Sequence, residues 1–246
     1  MFNRKSGFSL IELLVVIAVI AILASILMPV FSSAKRTALK TVCASNLSHI
    51  SKAMEMYISD HNGFYPNTND PYLWMGRRWR WPIWNYLETG VKYNPNDPNG
   101  PNQLTGKKNS VLACPSDPTP GNKWDKTSYG FSASFYHSPD QIDSMVTQQL
   151  YNGAYPSPPC KSMNVNAVSF PAQKVMFADW LGSHTSSASG WWSWEGSRNY
   201  LFADGHIKFL DANRILKAIS PNAGVNRTAY PDINLTPNGI MGKDID

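Results

Sequence analysis

A lone acid inside a long apolar run is where this chain most plainly carries chemistry. Glu12 follows Gly7-Phe8-Ser9-Leu10-Ile11 and precedes residues 13–28, a stretch of Val, Ile, Leu and Ala in which Ser25 is the only polar side chain. An ionised carboxylate in hydrocarbon is costly, so Glu12 needs either a cationic partner or a position shallow enough to stay wet. A second group of side chains with ligating chemistry is Asp179, His184, Asp204 and His206. Calcium takes carboxylate and carbonyl oxygens, but no EF-hand-like run of alternating acids is present. Asp204 is accounted for by a turn and His206 by an exposed strand position. No cofactor is therefore expected, with calcium at Asp179 and Asp204 as the one ion left open. Cys43, Cys114 and Cys160 form neither a C-x-x-C nor any zinc-like spacing. In an oxidising compartment one disulfide with one thiol left over fits, and all three pairings stay open. With no G-x-S-x-G, H-E-x-x-H or phosphate-cradling glycine loop, no catalysis is expected and the chain is read as a non-enzyme.

Two tryptophan clusters are candidate interaction surfaces. Trp79 and Trp81 lie in the island 74–87 among Arg77, Arg78 and Arg80. Aromatic faces stack on sugars and Arg supplies planar hydrogen bonding, so a polymer-binding platform is one reading. The preferred alternative is a short helix over 82–87, pinned by its aromatics against a longer helix. Trp191, Trp192 and Trp194 sit in a Gly- and Ser-rich stretch, and serve either as a contact surface or as a loop folded back on a sheet.

The elements that must position these groups follow from periodicity. From Phe8 to Met28 the apolar run is about the roughly 20 residues needed to cross a bilayer. Beyond Pro29 the helix continues, because Phe31, Ala34, Leu39, Cys43, Leu47, Ile50, Met54 and Tyr57 form one apolar stripe. Asn62 and Gly63 suit the left-handed stop. Residues 65–126 read mostly as loops, with a short strand running into a turn over 111–117. A second strand is expected over 127–135. Ser138, Pro139 and Gln141 have the form of a capped helix start, running to about Asn152-Gly153. Residues 174–180 and 199–210 are the most strand-like, with Asp204-Gly205 as a two-residue hairpin turn. A short helix over 211–219 and a Pro- and Asn-rich tail complete the chain.

At 246 residues the chain leaves roughly 190 beyond the first helix for a globular part with a real core. Its net charge of +5 is spread along the sequence with no basic stripe, so no nucleic-acid partner is expected. Arg4 and Lys5 precede the apolar run while Lys35, Arg36 and Lys40 follow it, so flanking charge alone leaves the orientation ambiguous.

Residues 5–18, Lys-Ser-Gly-Phe-Ser-Leu-Ile-Glu-Leu-Leu-Val-Val-Ile-Ala, resemble the type III signal of type IV pilins and type II secretion pseudopilins. The resemblance implies cleavage after Gly7 by a prepilin peptidase and N-methylation of Phe8. It gives Glu12 a partner in assembly, the new amine on Phe8 of a neighbouring subunit, and makes Pro29 a helix-softening position. An assembly platform and an ATPase are implied as further partners. Cys43 with Asn46-Leu47, Asn62-Gly63-Phe64-Tyr65-Pro66, Cys114-Pro115-Ser116-Asp117, Ser128-Tyr129-Gly130 and Phe202-Ala203-Asp204-Gly205-His206 resemble a planctomycete-type branch named for a histidine nine residues ahead of an Asp-Gly. Here that position holds Trp194, so a role for the histidine does not carry over. Some pseudopilins hold calcium in a C-terminal loop, which is the family side of the Asp179 and Asp204 expectation.

The combined expectation is an α+β, pilin-like fold: a leader over 1–7, an assembly helix over 8–60 with its first half in the membrane, and an extracytoplasmic α+β domain over 61–246 with an antiparallel sheet. The expected role is a structural subunit, pseudopilin or minor pilin, at the bacterial inner membrane and single-pass, with the domain outside. The alternative is a membrane-tethered, Trp-rich binding module for polysaccharide or another exported substrate that does not polymerise.

Overall fold

The computed structural model describes residues 9–68, 79–87, 111–118, 127–145, 158–185, 190, 193–218 and 232–246. Leu10–Asp60 is one unbroken α-helix (α1), with Pro29 inside it. Proline has no N–H, so the helix continues at the cost of one bond to the carbonyl four residues back, that of Ser25. Ser25 turns its own hydroxyl inward, donating to the Ile22 carbonyl at 2.7 Å. The chain divides into two compact units, one up to Ala38 and the other from Leu39 onward.

In the first unit, the large apolar side chains from Leu10 to Phe31 are exposed all round the helix. An apolar surface of this extent is not left in water, and α1 is long and apolar enough to cross a membrane.

In the second unit, α1 is amphipathic. Cys43, Leu47, Ile50 and Met54 recur at steps of four, three and four and are fully buried. The helix stops at Asp60, where Asn62 (φ 55°) and Gly63 (φ 80°) both take left-handed backbone. Gly63 N–H then reaches back to the Ile58 carbonyl at 2.9 Å, as a left-handed helix end allows.

Four antiparallel strands form a meander in chain order: β1 (Tyr129–Phe131), β2 (Val175–Asp179), β3 (Ser197–Phe202) and β4 (Ile207–Asp211). The α+β class expected from the sequence is the observed one. One face of the sheet, with Phe131, Phe177 and Leu201, joins the core built on Cys43, Leu47, Ile50 and Met54. The other face, with Val175, Ala178, Tyr200 and Phe202, is covered by Ile215, Ile233 and Ile245. Every position of β2 and β3 is buried, so the apolar residues of Val175–Ala178 and Tyr200–Phe202 run on without alternating. A register shift between Val175 and Phe177 inserts Met176 into β2. This bulge lets Val175 and Phe177 serve opposite faces although they lie two residues apart.

Several expected elements are shorter than their sequence signals. Residues 111–117 form turns, because Pro115 has no N–H for a ladder and the Leu112 carbonyl is taken by Ser128 N–H and Thr127 Oγ1, both at 2.9 Å. The strand expected over 127–135 ends at Phe131, where Asn234 Oδ1 accepts the Ala133 N–H at 2.8 Å and a 3₁₀ turn, Ala133–Phe135, follows. The helix begun by Ser138 has the expected capping box but spans Pro139–Ser144 (α2) and gives way at Met145 to extended backbone. Its expected Asn152-Gly153 stop lies outside the described residues. The 82–87 helix is a single 3₁₀ turn, Trp84–Tyr86, and the one over 211–219 is another, Ala212–Arg214.

The β3–β4 turn is three residues rather than two. Gly205 N–H donates to the Phe202 carbonyl at 3.0 Å, Phe202 N–H to the His206 carbonyl at 2.9 Å, and Gly205 sits at φ 87°. This is a type I turn closed by a glycine in left-handed backbone, the usual three-residue hairpin.

Candidate functional site

Gly7 and Phe8, the expected cleavage and methylation positions, lie outside the described residues. The helix start beside them is described. Ser9 N–H donates to Glu12 Oε2 at 2.8 Å, and Glu12 N–H donates to Ser9 Oγ at 3.2 Å. This is a reciprocal capping box, with Ser9 as cap and Glu12 three residues on. The Ser-x-x-Glu spacing was present in the sequence and would have revealed it. Glu12 therefore has a local task, satisfying a backbone donor that the helix leaves open, besides any task between subunits. Pro29 keeps its place within the continuous helix.

The outer half of α1 is tied to the sheet domain covalently. Cys43 and Cys114 form a disulfide with a Cα–Cα distance of 5.0 Å, and Cys160 keeps its thiol. Of the three open pairings, the fold selects the one that joins α1 to the turn before β1. Asn46 Nδ2 donates to Tyr129 Oη at 3.0 Å, and Tyr129 donates to the Cys43 carbonyl at 3.4 Å. Burial is the main cause that holds the Tyr129 hydroxyl well above its ordinary pKa, with the Asp179 charge adding to it.

His184 lies against this disulfide. Its Nε2 is 3.5 Å from Cys114 Sγ and 3.4 Å from Asp179 Oδ2, with both side chains almost fully buried. Asp179 Oδ2 also accepts from Asn199 N–H at 2.9 Å and Asn199 Nδ2 at 2.8 Å. Asp204 lies elsewhere. Asp179 ends β2 beside Tyr129, whereas Asp204 is in the turn beyond Phe202, which pairs with Val175 at the other end of β2. There its carboxylate contacts His206 Nδ1. The structure thus brings His184 to both Asp179 and Cys114, and does not bring Asp179 to Asp204 for a shared calcium ion.

Burial corrects the reading of Trp79 and Trp81 as an interaction surface. Trp79 is fully buried and meets the Phe177 ring edge-on at 4.8 Å. Trp81 is half-buried against the same core. An indole of this size is worth more inside the domain than on it. Trp194 is half-buried, while Trp191 and Trp192 lie outside the described residues.

His137 is a second buried imidazole, its Nε2 at 3.9 Å from Cys160 Sγ. Burial lowers its pKa from 6.5 to about 4, partly offset by the hydrogen bond the ring makes to Gln141 as its acceptor. The folded chain thus binds this proton less readily than the unfolded chain. Stability is full above pH 6.5, falls as pH drops through the window from 6.5 to 4, and levels off below it. The expected loss is up to about 3 kcal/mol. His137→Phe should flatten that part of the profile, as measured by urea unfolding of the detergent-solubilised full chain at pH 7, 5.5 and 4.

The apolar helix with its capping serine and acid has a counterpart in known proteins. Residues 2–28 match the prokaryotic N-terminal methylation motif. The motif ends at Met28, one residue before Pro29, and contains Gly7, Phe8, Ser9 and Glu12. The chain is 48% identical over 67 residues to the type IV wide pilus major component PilA4 of Thermus thermophilus, which is 27% of this chain and 50% of that protein. It is 37% identical over 67 residues to type II secretion system core protein G of Escherichia coli, 27% of this chain and 46% of that protein. It is 40% identical over 58 residues to prepilin peptidase-dependent protein A of Clostridium perfringens, 24% of this chain and 41% of that protein. The chain thus spans about half the length of the curated relatives it matches. No solved structure matches it.

Proposed function

We propose that the chain is a structural filament subunit, a pseudopilin of a type II secretion pseudopilus or a minor pilin of a type IV pilus-like fibre. The observation that carries this reading is the methylation motif over 2–28, lying on a helix whose large apolar side chains from Leu10 to Phe31 are exposed on every face. A prepilin peptidase removes the leader after Gly7 and Phe8 becomes the N-methylated first residue. The subunit then waits in the inner membrane, single-pass, with its leader on the cytoplasmic side and the sheet domain outside. Assembly by a platform protein and an ATPase exchanges lipid around residues 10–31 for the same helix of other subunits. Exchanging one apolar neighbour for another is nearly neutral in burial, so the charge on Glu12 selects the register instead of driving association. Catalysis has no place in this reading.

The deciding experiment is mass analysis of the mature N-terminus from native membranes. The expected peptide begins at Phe8 and carries one methyl group. A mature chain that begins at Met1, or that has lost the apolar stem, would overturn the reading. The tethered binding module has less support, since burial removes Trp79 from its surface.

A further inference from the structure

We propose that Lys35 and Arg36 bind the headgroups of two anionic phospholipids, at the end of the membrane-crossing segment away from Glu12. The inference rests on α1 crossing the bilayer and does not depend on filament assembly.

Spacing along the helix sets the depth of these residues. Residues 13–34 contain no charged side chain, and α1 runs through them unbroken. Glu12 and Lys35 are therefore about 35 Å apart along the axis at 1.5 Å per residue. The hydrocarbon layer is about 30 Å thick, or about 40–45 Å with both headgroup layers. A helix set along the bilayer normal thus carries Glu12 and Lys35 a few ångströms outside the hydrocarbon on opposite sides. Neither charge enters the apolar layer, where an ionised side chain is costly. Lys35 and Arg36 then lie at the level of the lipid phosphates. Their long apolar stems cover the end of the apolar segment while the charged heads stay among the headgroups.

Charge balance makes the second argument. Lys35 and Arg36 are both exposed, and among the described residues neither has an ion-pair partner. The adjoining turns of α1 supply none. The positions three and four residues away on either side hold Phe31, Ser32, Ser33, Ala38, Leu39 and Lys40. Lys40 is differently placed, half-buried with its ammonium 4.4 Å from the centre of the Phe209 ring. Two adjacent cations with no acid, held at phosphate depth, call for an anion, and the phosphodiester of a lipid is the anion found at that depth.

The two side chains suit this ligand in different ways. The Arg36 guanidinium matches two phosphate oxygens at once, whereas the Lys35 ammonium acts as a point charge. Adjacent residues lie about 100° apart round a helix, so the pair takes two headgroups rather than closing on one. In the orientation of the proposed function both cations lie outside, where the positive-inside preference disfavours them. Lipid phosphates at that surface offset the penalty.

The test uses the full chain in mixed micelles holding equal amounts of phosphatidylcholine and phosphatidylglycerol with the same acyl chains. Native mass spectrometry reads the lipids retained. Two phosphatidylglycerol molecules should be retained over phosphatidylcholine, with a preference of about fivefold for each basic residue. Lys35→Gln and Arg36→Gln should each leave one preferred lipid, and the double variant should show no preference. Lys52→Gln, about five turns further along α1, should match the wild type. Inorganic phosphate at matched ionic strength should leave the lipids in place, which separates a headgroup site from a site for free phosphate. Equal retention of both lipids by the wild-type chain, an undiminished preference in the double variant, a loss in Lys52→Gln as large as in the double variant, or displacement by inorganic phosphate would overturn the proposal. Alkaline carbonate extraction of vesicles carrying the chain reports separately on the membrane. A chain released to the supernatant overturns the bilayer-crossing reading too, whereas a retained chain with no lipid preference overturns the headgroup site alone.

Discussion

Glu12→Gln is expected to abolish incorporation into filaments even though the helix start stays intact. Gln fills the same place in a capping box as Glu, so the bonds that Glu12 makes with Ser9 at 2.8 and 3.2 Å survive the change. What disappears is the charge. In the filament reading that charge meets a newly made amine on the neighbouring Phe8, and removal of one member of a buried ion pair costs about 3–5 kcal/mol. The fraction of chain recovered in sheared filaments should fall roughly a hundredfold or more, since each 1.4 kcal/mol is a factor of ten. Ser9→Ala provides the converse. It breaks the cap and keeps the charge, at about 1 kcal/mol, and should leave incorporation within a few-fold of wild type. If Glu12→Gln assembles normally while Ser9→Ala fails, the acid acts as a helix cap alone.

The largest effect on folding is expected at the C-terminal segment. Lys174 and Asp244 are both fully buried and pair at 2.9 Å. Asp244 also accepts from Val175 N–H at 2.6 Å and from Thr236, and Lys174 donates to Thr236 at 2.9 Å. Burial raises the Asp244 carboxyl above its ordinary pKa, opposed by the Lys174 charge and these hydrogen bonds. Asp244→Ala leaves the ammonium of Lys174 buried without its partner, at an expected cost of about 3–5 kcal/mol. That is a large part of the stability of an ordinary domain. Lys174→Met combined with Asp244→Leu should recover most of the loss, because two apolar side chains of similar volume carry no stranded charge. Urea unfolding followed by tryptophan fluorescence measures both. A single variant as stable as wild type would show that this pair does not hold the segment, and a double variant as weak as the single would locate the cost in packing.

What could be read in the sequence has a common cause, which is proximity along the chain. The apolar run with Glu12, the stripe of Cys43, Leu47, Ile50 and Met54, the stop at Asn62-Gly63 and the cap at Ser138 each depend on neighbours within about one or two helical turns. Even the capping role of Glu12 was legible, three residues from Ser9. Strand lengths were less so, because a strand ends where its ladder partner ends. The segment 127–135 loses its last residues to Asn234, which lies 101 positions on from Ala133.

Tertiary structure alone decided the rest. No local rule distinguishes Cys114 from Cys160 as the partner of Cys43, or makes the Pro- and Asn-rich tail the cover of one sheet face through Ile233 and Ile245. Nor does composition say whether Trp79 stacks on a ligand or on Phe177. His184 and Asp179 are five residues apart, but the meeting of His184 with a sulfur 70 positions away depends on how the turn before β1 is folded against α1. Short-range patterns specify where backbone donors and apolar stripes go. Which side chains then share a buried point depends on packing distant parts of the chain at close range, and that information exists only once the domain has closed.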